Sequence, residues 1–176
     1  MKTSDFDYDL PEELIAQHRS SVFDTWLEQD KISCLPNYAL PAVISPTAFT
    51  SMVPKSLYTA EEDMNEYEFK VVWALSELGN VKWWHRNISR LGFQINGPVH
   101  AYPDIIVMLH SGKILMVETK GDHLDNDESK EKAKIGDQWA KLAGKQYKYY
   151  MVFETKQPDY PGAYSLERFM EIVNGL

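Results

Sequence analysis

The chain has 176 residues, 44% of them hydrophobic and 12% aromatic, which suits one domain with a real core and excludes a disordered polyampholyte. With 26 acidic and 18 basic side chains the net charge is −8, which argues against broad electrostatic adhesion to nucleic acid while leaving room for a local basic track. Cys34 is the only cysteine, so no intrachain disulfide and no zinc cluster are expected. There is no transmembrane run, and residues 1–17 are acidic without the apolar stretch of a signal peptide, so the expected location is the cytoplasm, with no membrane partner.

Along the chain, Pro11-Glu12-Glu13 marks a helix start, and residues 22–29 extend as a helix with Val22, Trp26 and Leu27 buried. Residues 33–54 carry prolines at 36, 41, 46 and 54, a spacing that forbids a long helix or a central strand. The segment is also apolar, so it is expected to lie as a packed arm over the domain or against a partner. The first strong helix spans 59–78. Thr59 with Glu62 reads as a capping box, Met64, Val71, Val72, Leu75 and Leu78 form the apolar stripe, and Gly79-Asn80 stops it. Glu68 falls on that stripe, where a carboxylate is costly unless ion-paired or bound to metal. Both readings stay open for it.

VKWWHRN, 81–87, reads as a strand with Trp83 and Trp84 on opposite faces. Arg86 is a surface residue or a phosphate contact, and His85 a core residue or a neighbour of a site. LGFQINGPVHA is an irregular loop. It delivers the chain into YPDIIVMLHSGKILMVETKG, 102–121, which reads as a tight β-hairpin with a two-residue turn at Ser111-Gly112. Glu118 and Lys120 are two apart on one strand and leave the same face, and the antiparallel partner brings Asp104 back beside them. Two carboxylates and a lysine thus converge at one end of an apolar hairpin. Such a pair suits Mg²⁺ or Mn²⁺, hard cations that take oxygen ligands, with the lysine neutralising charge or orienting a water.

After Gly121, an acidic loop containing Asp122 and His123 leads to a helix capped near Asp127. It runs to about Ala143 and is stopped by Gly144, with Ile135, Trp139 and Leu142 inward. Lys130, Lys132, Lys134 and Lys141 occupy its other faces, as a solvated surface or, near the helix start, as contacts to a nucleic-acid backbone. KYYMVFET, 148–155, is a strand reached by a crossover from the hairpin, so it pairs in parallel. QPDYPGAY is loop, and Ser165 caps a terminal helix with Leu166, Phe169, Met170 and Val173 inward. The order helix, three strands, helix, strand, helix gives an α/β domain, a mixed central sheet flanked by helices. Residues 1–54 are set apart as an N-terminal segment, and 55–176 form the domain.

The pattern Pro103-Asp104, strand and turn, then Glu118-Thr119-Lys120 matches the PD-(D/E)xK nuclease motif. From about Lys55 to Glu154 the chain resembles the endonuclease domain at the C-terminus of the type III restriction-enzyme Res subunit. The likeness lies in KSLY, MNEYE, NVKWWHRN, GFQING, YPD, GKILMVETKGDHLDND and AGKQYKYYMVF. It implies a restriction-endonuclease-like fold and Mg²⁺-dependent hydrolysis of DNA phosphodiesters. It also implies Asp104 and Glu118 as metal ligands, the Thr119 carbonyl as a further ligand, Lys120 as the catalytic lysine, and Glu68 as the acidic residue of the first helix. Residues 1–17, MKTSDFDYDLPEELIAQ, separately resemble the opening of the S-adenosylmethionine:tRNA ribosyltransferase-isomerase family. The likeness stops near His18, and none of that family's activity is carried over.

Res subunits carry an ATP-driven motor, whereas this sequence has no G-x-x-x-x-G-K-[ST] phosphate loop. The expectation is therefore a stand-alone DNA endonuclease, a fragment, or one chain of a split system with a separate helicase or methyltransferase subunit. Arg86, Lys130, Lys132 and Lys134 are its candidate DNA contacts. Cutting by the chain alone is expected to be slow and of low sequence preference, with nicking dominant unless it forms a homodimer through the 33–54 arm. The alternative is a catalytically silent PD-(D/E)xK-like binding or assembly module of a restriction or defence system.

Overall fold

The computed structural model describes residues 21–32, 53–61 and 63–176. Residues 21–28 are helical. The domain then runs α1 (Glu66–Glu77), β1 (Val81–Arg86), β2 (Ile105–Leu109), β3 (Ile114–Lys120), a 3₁₀ turn (Asp122–Leu124), α2 (Asp127–Ala143), β4 (Tyr147–Phe153), β5 (Ala163–Ser165) and α3 (Leu166–Asn174). The strands form one five-stranded sheet in the order β1-β2-β3-β4-β5. The first three are antiparallel neighbours, and β4 and β5 join in parallel. The architecture is a mixed α/β protein with helices on both faces of a mixed sheet, as the order of elements suggests. Among the described residues no helix is long and apolar enough to cross a membrane.

The sheet separates two apolar clusters, which is why β2 and β4 are nearly continuous apolar runs. On one face, Val71, Val72 and Leu75 of α1 and Phe169 and Val173 of α3 pack on Trp84, Val107, Leu115 and Val117. On the other, Ala133, Ile135 and Trp139 of α2 pack on Ile106, Met116, Tyr149, Met151 and Phe153, with Phe23 and Trp83 at the margin. Trp83 and Trp84 do face opposite ways. Val53 is buried in the first cluster, and the Pro54 carbonyl accepts from the Trp84 indole at 2.9 Å.

Several boundaries differ from expectation, each for a local reason. The first helix begins at Glu66, because the capping box is built by Asn65 and Glu68: the Asn65 side chain accepts from the Glu68 amide, and the Glu68 carboxylate accepts from the Asn65 amide. Glu62 lies outside the described residues. The hairpin loop is wider than two residues. The Leu109 amide donates to the Lys113 carbonyl, the Gly112 amide donates to Leu109, and Gly112 sits at φ +83°, the left-handed bend that glycine takes at no steric cost. Asn126, not Asp127, caps α2, accepting from the Ser129 amide. Leu142 is exposed rather than inward, and so is Trp26. The loop before Ser165 yields the short β5, which completes the sheet edge against Met151–Phe153. Readings made for residues 1–17, for Cys34 and for 33–52 of the arm lie outside the described residues.

Candidate active site

Asp104 stands where the irregular loop enters the sheet, and its placement is over-determined. The buried Asn87 side chain donates to the carbonyls of Phe93 and Pro103 and accepts from the Phe93 amide, each within 2.8 Å. The Asn87 amide donates to the Asp104 carbonyl, and the Asp104 amide donates to Val117. Gly92 makes this knot possible, since a Cβ there would collide with the Asn87 side chain. The Asp104 carboxylate takes two bonds on one oxygen: Oδ2 accepts from the Thr119 amide at 2.7 Å and the Thr119 hydroxyl at 2.8 Å. Among the described residues, Oδ1 accepts none. Burial, opposed by the Thr119 amide and reinforced by the charge of Glu118, pushes the Asp104 carboxyl up to about 6.

Glu118 and Lys120 do leave the same face of β3, the face that packs on α2. The Glu118 carboxylate is almost completely buried. Its Oε1 lies 2.8 Å from the Lys120 ammonium, and its Oε2 accepts from the Tyr149 hydroxyl at 2.7 Å. Burial works against the charged lysine. The charge of Glu118, the hydrogen bond to it, and the charges of Asp104 and Glu128 outweigh burial and hold Lys120 above its ordinary value. Tyr149 is pushed well above the usual phenol range, first by burial and then by Glu118, so its hydroxyl stays protonated and donates.

Glu68 approaches from the other face. It is buried on α1, and Oε2 accepts from the Asn65 amide and pairs with the Arg86 guanidinium, each at 3.1 Å. Arg86 also donates to the Asp63 carbonyl. Glu68, Asp104 and Thr119 line a cavity of about 640 Å³ with Asn65, Tyr67 and His123 among the remaining walls. Glu118 and Lys120 do not line it; they lie on the α2 side, close enough for their charges to act on Asp104 and it on them. Asp104 therefore feels the charge of a carboxylate on each side of the sheet, Glu118 first and Glu68 more weakly.

The other candidate residues are placed as follows. Arg86 is committed to Glu68. Lys130, Lys132 and Lys134 pair with Asp127, Glu128 and Asp24 on the surface, where such pairs are weak and exchange readily. His85 is buried, with Nδ1 2.7 Å from the Arg86 carbonyl and its ring edge-on to Tyr58, and it does not line the cavity. Asp122 accepts from the amides of Thr155 and Lys156 and from the Thr155 hydroxyl, so it ties the 3₁₀ turn to the end of β4. That hydroxyl leads the groups that hold Asp122 below its usual value. His123 packs against Gly121 at the cavity wall, where a Cβ would come within 2.9 Å of its ring. Reading the sequence missed Asn87, the side-chain role of Thr119, and Tyr149. A buried Asn before a glycine-containing loop was the one signal available for the first.

Among the described residues no group of three or more His, Cys, Asp or Glu is arranged to hold a metal ion. Mg²⁺ does not demand one: it is commonly held by one or two carboxylates, with waters filling the rest of its shell. Asp104 and Glu118, with the Thr119 carbonyl, offer such a hard-oxygen set. The upward push on Asp104 from burial and Glu118 is the strain that a cation would relieve. By donor chemistry Asp104 and Glu118 suit a divalent cation, with both Glu118 oxygens already in contact with Lys120 and Tyr149.

No protein-family model, no curated protein and no solved structure matches this chain. What the fold and the site define by themselves is a mixed α/β protein whose central hairpin ends in a contacting Glu118–Lys120 pair, with Asp104 beside them and bonded to Thr119.

Proposed function

We propose that the chain is a metal-dependent endonuclease of the PD-(D/E)xK type, hydrolysing DNA phosphodiester bonds with Mg²⁺ or Mn²⁺, and related to the type III restriction endonuclease domain. The observation that carries this reading is the meeting of Asp104, Glu118 and Lys120 at one end of the β2–β3 hairpin, with Lys120 2.8 Å from Glu118. The strand order supports it, since an antiparallel hairpin joined in parallel to the next strand is the frame in which that motif is built. A bound cation would lower the pKa of a water and polarise the phosphate. Asp104 and Glu118 would hold it, with the Thr119 carbonyl.

The chain's own residues set up the rest. The Thr119 amide and hydroxyl fix one oxygen of Asp104 and leave the other for a ligand. Lys120, tethered to Glu118, sets a positive charge where negative charge builds on the attacked phosphorus. Glu68 faces the cavity beside Asp104 and would serve an outer-shell water or a second cation there. Supercoiled plasmid incubated with Mg²⁺ or Mn²⁺ tests the reading. Nicked circles that accumulate slowly, fade as salt rises and disappear with Asp104→Ala support it. No cutting at high protein concentration with either metal overturns it.

A second reading, a silent module of the same fold that binds or assembles, is favoured by one observation. Each of the candidate DNA contacts Arg86, Lys130, Lys132 and Lys134 is already paired with a carboxylate. DNA retention on a gel without cleavage would select it.

A further inference from the structure

Tyr149 is a tyrosine where the fold asks only for an apolar residue. It lies on β4 opposite Met116 in the register and belongs to the apolar cluster against α2. Its hydroxyl would be a buried polar liability unless bonded, and the partner it has is a charged one, Oε2 of Glu118 at 2.7 Å. The ring is accommodated by Gly136 of α2, where a Cβ would run into it. A glycine in the middle of a helix is disfavoured against alanine. Gly136 therefore sits at a place that propensity disfavours, and the ring seated on it carries the hydroxyl to Glu118.

We infer that Tyr149 is a positioning residue for the site: its hydroxyl clamps Oε2 of Glu118, so that Oε1 is presented to Lys120 and the carboxylate is held in one orientation beside Asp104. Gly136 is the seat that allows the clamp. A carboxylate on an unbranched side chain has free torsions, and a bond from a fully packed ring removes them at little further entropic cost. The hydroxyl also compensates part of the desolvation of Glu118 without adding a second cation. Lys120 then remains the sole positive charge on that carboxylate among the described residues. This inference rests on Glu118 being a working residue of the proposed site, but the clamp itself is a property of the metal-free protein.

The test uses both states of the full chain. In the metal-free wild type, the Tyr149 hydroxyl proton should give a downfield, slowly exchanging NMR signal with a cross-peak to the Glu118 side chain. The Lys120 ammonium should likewise be protected. Tyr149→Phe keeps the ring and should lose the Lys120 protection; Gly136→Ala, which displaces the ring, should do the same. In the metal-loaded state, Tyr149→Phe should weaken the half-saturating Mn²⁺ concentration by about 10–100-fold, the usual size for a group that orients a ligand, with a smaller change in the DNA concentration needed. A purely structural tyrosine would lower the melting temperature and leave the Lys120 signal and the Mn²⁺ dependence where they were, and that result overturns the inference. Absence of the hydroxyl signal in the wild type also overturns it, and needs no variant to fold. Failure of the wild type to bind Mn²⁺ at all would sink the nuclease reading instead, while the two metal-free signals still decide the clamp.

Discussion

Glu118 and Glu68 are both buried carboxylates that meet one basic side chain, and they differ in what else holds them. Glu68 is explained by its own neighbourhood. It closes the capping box of α1, and Arg86 neutralises it, so a single oxygen satisfies both a helix start and an ion pair. Glu118 closes no cap. It sits near the end of a central strand, and its two oxygens are divided between an ammonium and a phenol carried in from a different strand. A protein gains little stability from a buried charge assembled in this way; replacing such pairs by apolar residues is often neutral or stabilising. Glu68 thus has a helix cap to serve as well as an ion pair, whereas Glu118, held by a lysine two residues along its own strand and a tyrosine of the next, serves no cap and is the carboxylate that the proposed function puts to use.

The sharpest way to break this contrast is to remove each group and follow DNA nicking. Asp104→Ala or Glu118→Ala should abolish cutting together with the Mn²⁺-dependent rise in melting temperature, a rise that binding to the folded state alone produces. Lys120→Ala should lower the rate by about 10²–10³-fold, the size expected for one group aimed at developing charge. Glu68→Gln should lower it by only about 10-fold. Equal losses for Glu68 and Glu118 would erase the distinction.

Stability separates the pair in the opposite sense. Arg86→Ala leaves Glu68 largely buried without its cation and should cost about 2–3 kcal/mol in urea denaturation, below the full figure for a wholly buried pair because both side chains keep some exposure. A loss under about 0.5 kcal/mol would show that water already serves Glu68.

Asp104 adds a pH dependence whose sign is fixed by its raised carboxyl. The folded chain keeps this proton up to about 6, whereas the unfolded chain loses it near 4 (about 3.9). The folded state therefore binds more protons in between, and stability falls as pH rises through that window. Asp104→Asn should raise stability by on the order of 2 kcal/mol at pH 8 and change nothing near pH 3. Divalent cation should recover part of that difference at pH 8 in the wild type and none in the variant. Thermal melts across pH, with and without Mg²⁺, measure both.

The smallest effects belong to the lysines of α2. Lys130→Ala, Lys132→Ala and Lys134→Ala should each stay within about 0.5 kcal/mol of the wild type in stability. If they touch a DNA backbone, each should flatten the salt dependence of binding by about one unit of slope. An unchanged slope would leave their surface ion pairs as their whole role.

Much of the frame was legible in one dimension because it is governed by short-range rules. β1, the two strands of the hairpin, α2 with its stop at Gly144, and the Ser165 cap all follow from period, turn residues and caps. The shared face of Glu118 and Lys120 follows from the two-residue period of a strand. Boundaries failed where two caps competed: Thr59 and Asn65 each precede a glutamate three residues on, and only the second is followed by residues that the sheet buries. Leu142 and Trp26 failed because periodicity says which residues share a face, not how far the partner surface extends.

Most elements, the antiparallel hairpin and the carboxylates and lysine at its end were readable in one dimension, since each depends on residues within one turn or one strand pair; the short β5 and the start of α1 were not. What surrounds them comes from the packing of separate elements. Tyr149 is 31 residues from Glu118, Asn87 is 16 from Pro103, and Arg86 meets Glu68 across the gap between a strand and a helix. Contacts of that kind depend on how faces of separate elements are set against each other when the core packs, and no local pattern encodes which tyrosine or which arginine will arrive.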